Sequence, residues 1–572
     1  ILHVAVFAIG CHDAPERRSY LKGQLIMSKV YNIRDISSIR DMVETSCELF
    51  ADNPAFLSRD GETVYVKTYT EVGEDIRALA AELTARGMRG EKIAVMGVNC
   101  YQWALTYLAV CSGVGIIVPV DREYNGEQLS YVMEDSGAAM LIHGDGVSTA
   151  VDTAGLSVPT VKFSELEELV ASGKERIAEG DTSYDDYQLN PFNFGVLLYT
   201  SGTMGASKGV MLSQYNICSN VMQALRVIRV YENDRALSVL PLHHTYECVA
   251  GFLSFFFSGA SIAYCGSLRT LMKDMQIFQP TVLVVVPLMM SSFYKKIQST
   301  YGNLRGGKAI YRAQTMLARG ATDAMRRRLF SPIAKVFGGH LRAFLCGAAP
   351  LPREIFRAFQ SYGFSVFVGY GLTETSPVCM MHTDDYQNPD DVGFPIAGVR
   401  ARLVNEDENG IGELEVKGNN VMLGYYHNPE ATAEVLHGGW FRTGDLAQRK
   451  ENGAYRITGR TKSMIVAENG KKIFPEELEI HLSEIKGVSD CFVFRDPEGH
   501  ITASILPDEE LLARDDAAEY LRGQIEKINE GFPRYKRMDT LVIRHAPFDK
   551  TTTHKIKRNS PDNLGTEGGI RI

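Results

Sequence analysis

The chain has 572 residues, of which 45% are apolar and 23% charged, and it carries a formal net charge of −9. This is the composition of an ordinary globular protein, long enough for three or four domains of about 150 residues each. The negative charge argues against a nucleic-acid partner, because proteins that bind nucleic acid present a basic surface. The ten cysteines stand singly, without a Cys-x-x-Cys pair. This pattern fits a reducing compartment and predicts a cytoplasmic location.

The first 26 residues differ from those that follow. Their apolar run, ILHVAVFAIG, is much shorter than the roughly 20 residues of a membrane helix. A start-like Met27 then opens MSKVYNIRD. We expect residues 1–26 to be an extension outside the folded core, with a targeting segment as the alternative. The sequence predicts no transmembrane segment, although a lipid substrate would leave peripheral membrane contact open.

From about residue 70 the sequence alternates between helix and strand patterns. TEVGEDIRALAAELTARG and YQWALTYLAVCSG have helical spacing, whereas EKIAVMGV and VGIIVPV are typical of buried strands. The same alternation returns in SIAYCG, LRTLMKDMQIFQP, TVLVVVP and LMMSSFYKKIQ. It predicts an α/β protein with parallel sheets of βαβ type, covered by helices on both faces.

Beyond about residue 390 the pattern changes to short strands. ARLVNE, GIGELEVKG and AYRITGR are separated by polar turns and predict hairpins or a small barrel over about 390–460. Residues 461–560 carry their own strand signals and a helix from about Asp515 to Asn529, which predicts a small separate α+β domain. The last residues, 561–572, are polar and rich in glycine, and we expect a flexible tail there.

A loop of small and hydroxylated residues, YTSGTMGASKG, follows the apolar run FGVLLY. It lacks the spacing of glycines and lysine found in a Walker loop. Its glycines would let backbone N–H groups approach an anion, with hydroxyls as further donors and Lys208 as a counter-charge. Taken alone, the same loop is equally well explained as a flexible turn.

Three later segments fit nucleotide chemistry. GYGLTETSP places Tyr370 between two glycines, where its ring would stack on a base, and Glu374 follows as a ligand for a hard cation. WFRTGDLA places Asp445 in a turn, where it would accept hydrogen bonds from ribose hydroxyls. KTTTHKIKR presents Lys555 on a polar loop. Each segment also has an explanation that does not involve a nucleotide. GYGLTETSP would be a capped helix start, WFRTGDLA a turn with an aspartate, and Lys555 an exposed, solvated lysine.

In this order, the segments resemble the adenylate-forming superfamily of acyl-CoA synthetases, firefly-luciferase-like enzymes and peptide-synthetase adenylation domains. The resemblance spans roughly Tyr69 to Arg558, and LPLHHTYE and VGYGLTETSPV are most similar to the long-chain fatty acyl-CoA synthetases. It implies a large domain (27–460) of two βαβ-type sheet subdomains and a small distorted β-barrel. A small mobile domain (461–560) on a hinge would follow. The implied activity is adenylation of a medium- or long-chain fatty acid by ATP with release of pyrophosphate, then acyl transfer to CoA.

The resemblance also implies roles for individual residues. The β and γ phosphates of ATP would be held by Thr200, Ser201, Gly202, Thr203, Gly205 and Lys208. Adenine and the acyl carboxylate would contact Gly347, Ala348, Ala349, Tyr370 and Gly371. The α-phosphate, Mg²⁺ and the ribose would be bound by Thr373, Glu374, Asp445 and Arg460, with Glu374 as the Mg²⁺ ligand. The catalytic residues would be Lys555, Thr203, Glu374 and Lys208. The hinge would lie at Lys462, the CoA contacts at Gly470 and Lys471, and the acyl pocket at His243, His244 and Gly369.

The adjacent residues His243 and His244 raise the question of a metal site. On an extended strand their imidazoles would point to opposite faces, and no cysteine or carboxylate follows at the usual ligand spacing, so we expect no zinc site. One of them would either gate the acyl carboxylate or simply pack. Similarly, GFLSFFFSG (251–259) would either form core or line an acyl tunnel.

Several alternatives remain open. An aryl- or short-chain acid ligase would share every nucleotide motif, and a luciferase-like oxygenase would share the first step. An acyl carrier protein would present the same thiol arm as CoA. Amino-acid activation is disfavoured, because no aspartate lies near His243–Tyr246. A non-enzymatic acyl-adenylate binding module is disfavoured because all the required charged residues are present, namely Lys208, Glu374, Asp445 and Lys555.

Overall fold

A computed structural model describes residues 30–200, 208–466, 472–550 and 556–572. The predicted extension 1–26 lies outside the described residues. So do some of the predicted site residues, namely Ser201, Gly202, Thr203, Gly205, Gly470, Lys471 and Lys555. Their roles stay predictions.

The strands are numbered in chain order. They are β1 Pro54–Asp60, β2 Thr63–Thr68, β3 Lys92–Met96, β4 Ile116–Val120, β5 Met140–His143, β6 Thr160–Lys162, β7 Phe194–Thr200, β8 Lys208–Ser213, β9 Arg235–Ser238, β10 Ser261–Tyr264, β11 Val282–Val285, β12 Ala343–Cys346, β13 Ser365–Gly371, β14 Val378–Met381, β15 Phe394–Pro395, β16 Arg400–Val404, β17 Ile411–Lys417, β18 Gly424–Tyr425, β19 Leu436–His437, β20 Trp440–Arg449, β21 Tyr455–Arg460, β22 Ile465–Val466, β23 Lys472–Ile473, β24 Val488–Arg495, β25 Ile501–Pro507, β26 Thr540–Ile543 and β27 Ile570–Arg571.

The α-helices are Ile39–Leu49, Tyr69–Ala85, Tyr101–Ala109, Gly126–Ser136, Ser148–Ala154, Leu166–Ala178, Gln214–Leu225, Ser254–Phe257, Leu271–Phe278, Pro287–Asn303, Gly307–Ala318, Asp323–Leu329, Ser331–Val336, Arg353–Ser361, Pro429–Val435, Pro475–Ser483, Glu509–Leu512 and Ala517–Glu530. Local sequence fixes several of their ends. For example, Thr68 and Glu71 form a reciprocal capping box at the start of Tyr69–Ala85. Gly137 ends Gly126–Ser136 in a left-handed conformation. Among the described residues, no helix combines the length and apolarity needed to cross a membrane.

Two large sheets form the main body, as the alternating pattern predicts. The seven-stranded sheet has the order β18-β8-β7-β4-β3-β5-β6, and the nine-stranded sheet has the order β15-β14-β13-β12-β11-β9-β10-β1-β2. Strands β7 to β6 of the first sheet and β13 to β1 of the second are parallel. The edge strands are antiparallel. At β7 and β8 the reason is chain length: seven residues separate them, too few for the crossover that a parallel neighbour needs.

Three smaller sheets follow. The region expected to be a small barrel is an antiparallel sheet of order β16-β17-β20-β19, with β21 also paired to β20, and no pairing within the described residues closes it. The short pair β22–β23 comes next, and then a four-stranded sheet of order β24-β25-β26-β27. This last sheet has its own apolar core, packed with the helices Pro475–Ser483 and Ala517–Glu530. The tail differs from expectation, because Ile570 pairs with Leu541 and extends this sheet.

The apolar segment 251–259 belongs to the core. Phe252, Phe255 and Phe256 have no exposed surface. The rings of Phe252 and Phe256 pack against Phe56 and Tyr69 at ring-centroid distances of 4.8 to 5.9 Å, and Phe255 belongs to the same apolar cluster. The packing favours the core interpretation of this segment over an acyl-tunnel lining.

Candidate active site

The predicted site residues gather where strands end. Strands β9, β11, β12 and β13 are parallel, so the segments that follow them lie at one edge of the nine-stranded sheet. Those segments carry the two histidines, the 347–349 loop and the residues after Tyr370. In the other large sheet, Asp121 follows β4 and Thr200 ends β7, which is parallel to β4. His243 Nε2 lies 3.5 Å from Asp121 Oδ2, so the two edges meet.

Tyr370, Asp445 and Arg460 form one contact group. The Tyr370 hydroxyl donates a hydrogen bond to Asp445 Oδ2 at 2.6 Å, and Arg460 Nε lies 2.9 Å from Asp445 Oδ1. Asp445 and Arg460 are opposite each other in the β20–β21 ladder, which explains their contact. Asp445 is only 3% exposed, yet its charge is compensated on both oxygens. The group supplies a buried carboxylate beside an aromatic ring.

Burial and neighbouring charge shift the pKa values of Tyr370 and Arg460. Burial and the neighbouring Asp445 carboxylate raise the pKa of Tyr370 well above its usual range. The same carboxylate raises the pKa of the Arg460 guanidinium. Tyr370 therefore stays a neutral hydrogen-bond donor and Arg460 stays a cation at physiological pH.

A second group joins Glu374 and Lys208 through Tyr425. The Tyr425 hydroxyl donates to Glu374 Oε1 at 2.9 Å, and Lys208 Nζ lies 4.7 Å from the centre of the Tyr425 ring. Thr200 pairs with Lys208 across β7 and β8, which places both residues at the ends of the 201–207 segment. Glu374 and Thr373 lie in a short 3-10 turn that starts two residues after β13 ends. Lys208 of the predicted phosphate-binding set and the predicted Mg²⁺ ligand Glu374 thus contact the same tyrosine.

The loop after β12 has unusual backbone geometry. Ala348 adopts φ = 72°, a left-handed conformation that costs a residue with a side chain about 1–2 kcal/mol. Gly347 lies against Tyr246: a Cβ at this position would stand 2.8 Å from the ring. Ala348 and Ala349 are exposed. Such strain is common at ligand-binding loops, where the surrounding structure holds the backbone in place.

The two histidines are not arranged as expected. They lie in a turn before a helix and not on an extended strand, so their rings meet with centroids 4.1 Å apart. The expectation of opposite faces is therefore wrong. A carboxylate also accompanies them, since ligand atoms of Asp121, His243 and His244 lie within 4.8 Å of one another. Asp121 is distant in sequence, which is why ligand spacing along the chain did not reveal it.

An apolar cavity adjoins His243. It is small, with a volume of about 10 Å³, no more than a single water molecule needs, and its lining includes Tyr107, Val196, Leu198, Leu242, His243 and Val249. The lining residues come from β7 and β4 of the seven-stranded sheet, the segment after β9 and neighbouring helices. Gly369 lies on β13, and no residue comes closer than 3.7 Å to the position of a Cβ there.

Three contacts in the site were not predicted. Tyr425, Tyr246 and Asp121 each touch a predicted site residue. Asp121 could have been found from its place directly after a buried strand, where ligand residues gather in α/β proteins. Nothing in the local sequence marks Tyr425 or Tyr246. Lys462 is exposed in a three-residue turn, Thr461–Ser463, between β21 and β22.

The chain is similar to curated proteins over most of its length. The chain is 29% identical over 476 residues to "Long-chain-fatty-acid--CoA ligase FadD15" of Mycobacterium bovis, which covers 77% of each protein. It is 29% identical over 616 residues to "Long chain acyl-CoA synthetase 1" of Arabidopsis thaliana, which covers 92% of this chain and 91% of the relative. Among solved structures, the fold is similar to that of the anthranilate CoA ligase AuaEII. The TM-score is 0.75 at 19% identity, over 93% of this chain and 96% of the other.

Two sequence profiles match the chain in succession. The profile described as "AMP-binding enzyme" matches residues 43–426, and the one described as "AMP-binding enzyme C-terminal domain" matches residues 462–561. The first covers the two large sheets and ends after β18, and the second begins at Lys462. Since the first match alone spans more than half of the sequence, the chain belongs to the family of AMP-binding enzymes.

Proposed function

We propose that the protein is an AMP-forming acyl-CoA ligase. It adenylates a medium- or long-chain fatty acid with ATP, releases pyrophosphate, and then transfers the acyl group to the thiol of CoA. The contact of Tyr370 with Asp445, 75 residues further along the chain, carries this proposal. It supplies an aromatic surface for adenine beside a buried acceptor for ribose hydroxyls. Family membership and the similarity to a long-chain-fatty-acid–CoA ligase and a long chain acyl-CoA synthetase support the same activity.

Each described group has a role in this proposal. Tyr370 stacks on adenine, and Asp445 accepts from the ribose with Arg460 beside it. Lys208 and Thr200 flank the phosphates, and Glu374 fits Mg²⁺, which is bound in proteins by one or two carboxylates together with substrate phosphates. When bound, Mg²⁺ neutralises phosphate charge. Gly347, Ala348 and Ala349 line the adenine and the acyl carboxylate, while Lys462 is the hinge.

The chemistry requires charge compensation but no protein nucleophile. The carboxylate oxygen of the acid attacks the α-phosphorus of ATP, the bond to the β-phosphate oxygen breaks, and pyrophosphate leaves. Two anions approach in this step, so the cationic side chains Lys208 and, from the predicted set, Lys555 stabilise the transition state. In the second step the thiolate of CoA attacks the acyl carbonyl, and AMP leaves with the bonding electrons.

The proposal also specifies the class of acid and the thiol acceptor. The side chains around the cavity beside His243 are mostly apolar, which favours an aliphatic acid, and the cavity must widen to admit its chain. We place His243, His244 and Gly369 at the carboxylate end of the acyl pocket, and Gly470 and Lys471 at the CoA contact. The cytoplasmic location predicted from the unpaired cysteines remains a prediction.

A panel of acids tests the proposal. We expect AMP and pyrophosphate to form with ATP, Mg²⁺ and fatty acids, and a thioester to form when CoA is added. Short-chain, aromatic and amino acids should react at least about tenfold more slowly, since each buried CH₂ contributes about 0.8 kcal/mol. Thioester formation with acyl carrier protein in place of CoA tests the identity of the acceptor. No AMP with any acid would refute the ligase.

Asp445→Asn tests the site itself. The substitution removes a charged acceptor, so the KM for ATP should rise about 10- to 100-fold, which corresponds to the 1.5–3 kcal/mol of a hydrogen bond to a charged group. The KM for the acid should change little. Glu408→Gln, an exposed change in the turn between β16 and β17, serves as the control. An unchanged KM for ATP in Asp445→Asn would contradict the ribose assignment.

A further inference from the structure

The connection between β11 and β12 is much larger than the sheet requires. These strands are parallel neighbours, and a single helix is enough to join such a pair. Between β12 and β13 the chain does use one helix, Arg353–Ser361. Between β11 and β12 it forms four, all within residues 287–336, which we call the insertion. Its extra helices therefore serve something other than sheet connectivity.

The insertion has a charge opposite to that of the whole protein. It contains ten lysines and arginines but one acidic residue, Asp323, whereas the whole chain has a net charge of −9. Arg326 and Arg327 point inward and donate to the backbone carbonyls of Ala318 and Gly363. The other eight are exposed, and none forms an ion pair with a described acidic residue. They are Lys295, Lys296, Arg305, Lys308, Arg312, Arg319, Arg328 and Lys335.

The helix Gly307–Ala318 has one anchored face. Tyr311 shares a hydrogen bond with the Tyr362 hydroxyl at 2.8 Å, and Gln314 accepts from Tyr301 at 2.9 Å. Ala318 is buried on the same face. These contacts fix the rotation of the helix and hence which residues point outward.

The outward face carries apolar side chains. At 100° per residue, the exposed residues span a little more than half of the helix circumference. One edge of this arc is basic, with Lys308, Arg312 and, just beyond the helix, Arg319. The rest is apolar and comprises Ala309, Ile310, Ala313, Met316 and Leu317. Met316 is 70% exposed, Leu317 64% and Ile310 49%. We call these eight residues the interfacial face.

We propose that the interfacial face docks the protein on the surface of a membrane that contains anionic phospholipids. A helix that exposes an apolar strip flanked by lysine and arginine is the pattern of interfacial membrane helices, which insert the strip and place the cations among headgroups. Nucleic acid would use the charges but leave the apolar strip in water. A second copy of the chain would cover the strip but bring two basic edges together.

The insertion starts at the active-site edge of the nine-stranded sheet, whereas Tyr311 in its second helix bonds to Tyr362, just before β13 and therefore at the other edge. The first helix of the insertion, Pro287–Asn303, begins directly after β11, at the same sheet edge as the Gly347–Ala349 loop. At 1.5 Å per residue this helix is about 25 Å long. The docking surface itself does not depend on the proposed function, because vesicle binding is measured without any substrate.

Vesicle flotation of the full chain tests the inference. We expect binding to phosphatidylcholine vesicles that contain about one third phosphatidylglycerol, weaker binding at high salt, and little binding to pure phosphatidylcholine. The triple change Lys308→Glu, Arg312→Glu and Arg319→Glu should reduce the partition coefficient by at least about 100-fold, given about 1 kcal/mol per basic residue. Met316→Ser with Leu317→Ser should reduce it at least about tenfold.

A control variant with the same change in net charge tests whether binding depends on the interfacial face or only on the charge of the whole protein. Lys486→Glu, Lys527→Glu and Arg534→Glu change the charge equally at exposed positions in the C-terminal part, and this variant should bind like wild type within about twofold. Thermal unfolding of every variant checks that the fold is intact. If a variant fails to fold, binding of the wild type to anionic vesicles is compared with its binding to neutral vesicles, and this comparison still tests the docking proposal.

Four results would overturn the docking surface. The first is equal binding of wild type to anionic and neutral vesicles, and the second is wild-type binding by the triple variant. The third is tighter binding to an oligonucleotide than to anionic vesicles. The fourth is a dimer in sedimentation that Met316→Ser with Leu317→Ser dissociates, which would assign the strip to a second copy.

Discussion

Glu247 shows how burial alone changes the chemistry of a single residue. Its side chain is 1% exposed, Ser238 donates to Oε1 at 2.7 Å, and Oε2 has no hydrogen-bond partner among the described residues. Burial raises the pKa of this carboxyl group to about 8, and the Ser238 hydrogen bond offsets only part of the effect. Glu247 is therefore protonated in the folded protein at neutral pH.

Glu247→Gln should remove a pH-dependent loss of stability. Between the unfolded pKa near 4.5 and the folded pKa near 8, the unfolded chain releases a proton that the folded protein keeps. Wild-type stability therefore falls with rising pH in this window, by about 1.4 kcal/mol per pH unit at most, and levels off above it. Glutamine cannot titrate, so the variant should gain up to about 3 kcal/mol relative to wild type between pH 5.5 and 8.5.

Urea unfolding at several pH values measures this difference. Glu408→Gln, which is exposed, should follow the wild-type profile throughout. Parallel profiles for wild type and Glu247→Gln would mean that Glu247 is ionised in the folded state.

At the scale of elements, the end of β13 depends on close backbone packing. Tyr370 stands between two glycines that differ in their surroundings. A Cβ at Gly371 would lie 1.8 Å from the carbonyl oxygen of Pro377, whereas at Gly369 the nearest atom would be 3.7 Å away. The Pro377 carbonyl also accepts hydrogen bonds from Leu372 N and Thr375 Oγ1. The chain thus turns tightly at Gly371, directly before Glu374.

Gly371→Ala should disrupt this turn, and Gly369→Ala should not. The added methyl group at 371 has no room without backbone movement, so we expect a loss of stability of several kcal/mol and at least about a tenfold loss of AMP formation. Gly369→Ala should stay within about 1 kcal/mol of wild type, because its methyl group meets only ordinary contacts. Thermal unfolding and AMP formation, measured for both variants, test this difference. Equal tolerance of both changes would contradict the close approach at Gly371.

At the scale of the whole molecule, two bodies of unequal size share the reaction that we propose. The large sheets together with β20 and β21 carry the proposed nucleotide contacts, and the predicted catalytic residue Lys555 belongs to the C-terminal segment that follows the exposed turn at Lys462. One site would then serve adenylation and thioester formation in succession. The lysine would be needed only where charge builds on phosphate oxygens.

Lys555→Ala should therefore separate the two steps. We expect AMP formation from acid and ATP to fall at least about 100-fold, because a cation that stabilises the transition state is lost. Thioester formation from supplied acyl-AMP should fall less than about threefold. Lys557→Ala is the control: Lys557 lies two residues away and pairs with Asp549 at 3.1 Å, outside the proposed chemistry. Equal loss of both steps in Lys555→Ala would contradict this role.

The sequence by itself determined the elements and the order of the motifs. Helical and strand periodicity depends on neighbouring residues, so helices such as Tyr69–Ala85 and strands such as Lys92–Met96 were predictable from a short window. The same holds for the glycine-rich loop and for the aspartate and tyrosine motifs. Their succession along the chain led to the family, and with it to two large sheets and a small second body.

Only the tertiary structure decided which of these residues touch. Tyr370 reaches Asp445, Tyr425 joins Lys208 to Glu374, and Asp121 approaches two histidines that lie in a turn. Only the tertiary structure likewise showed that the helix Gly307–Ala318 turns apolar side chains to solvent. These outcomes depend on packing between segments far apart in the chain, whereas periodicity reports only on the conformation of each segment.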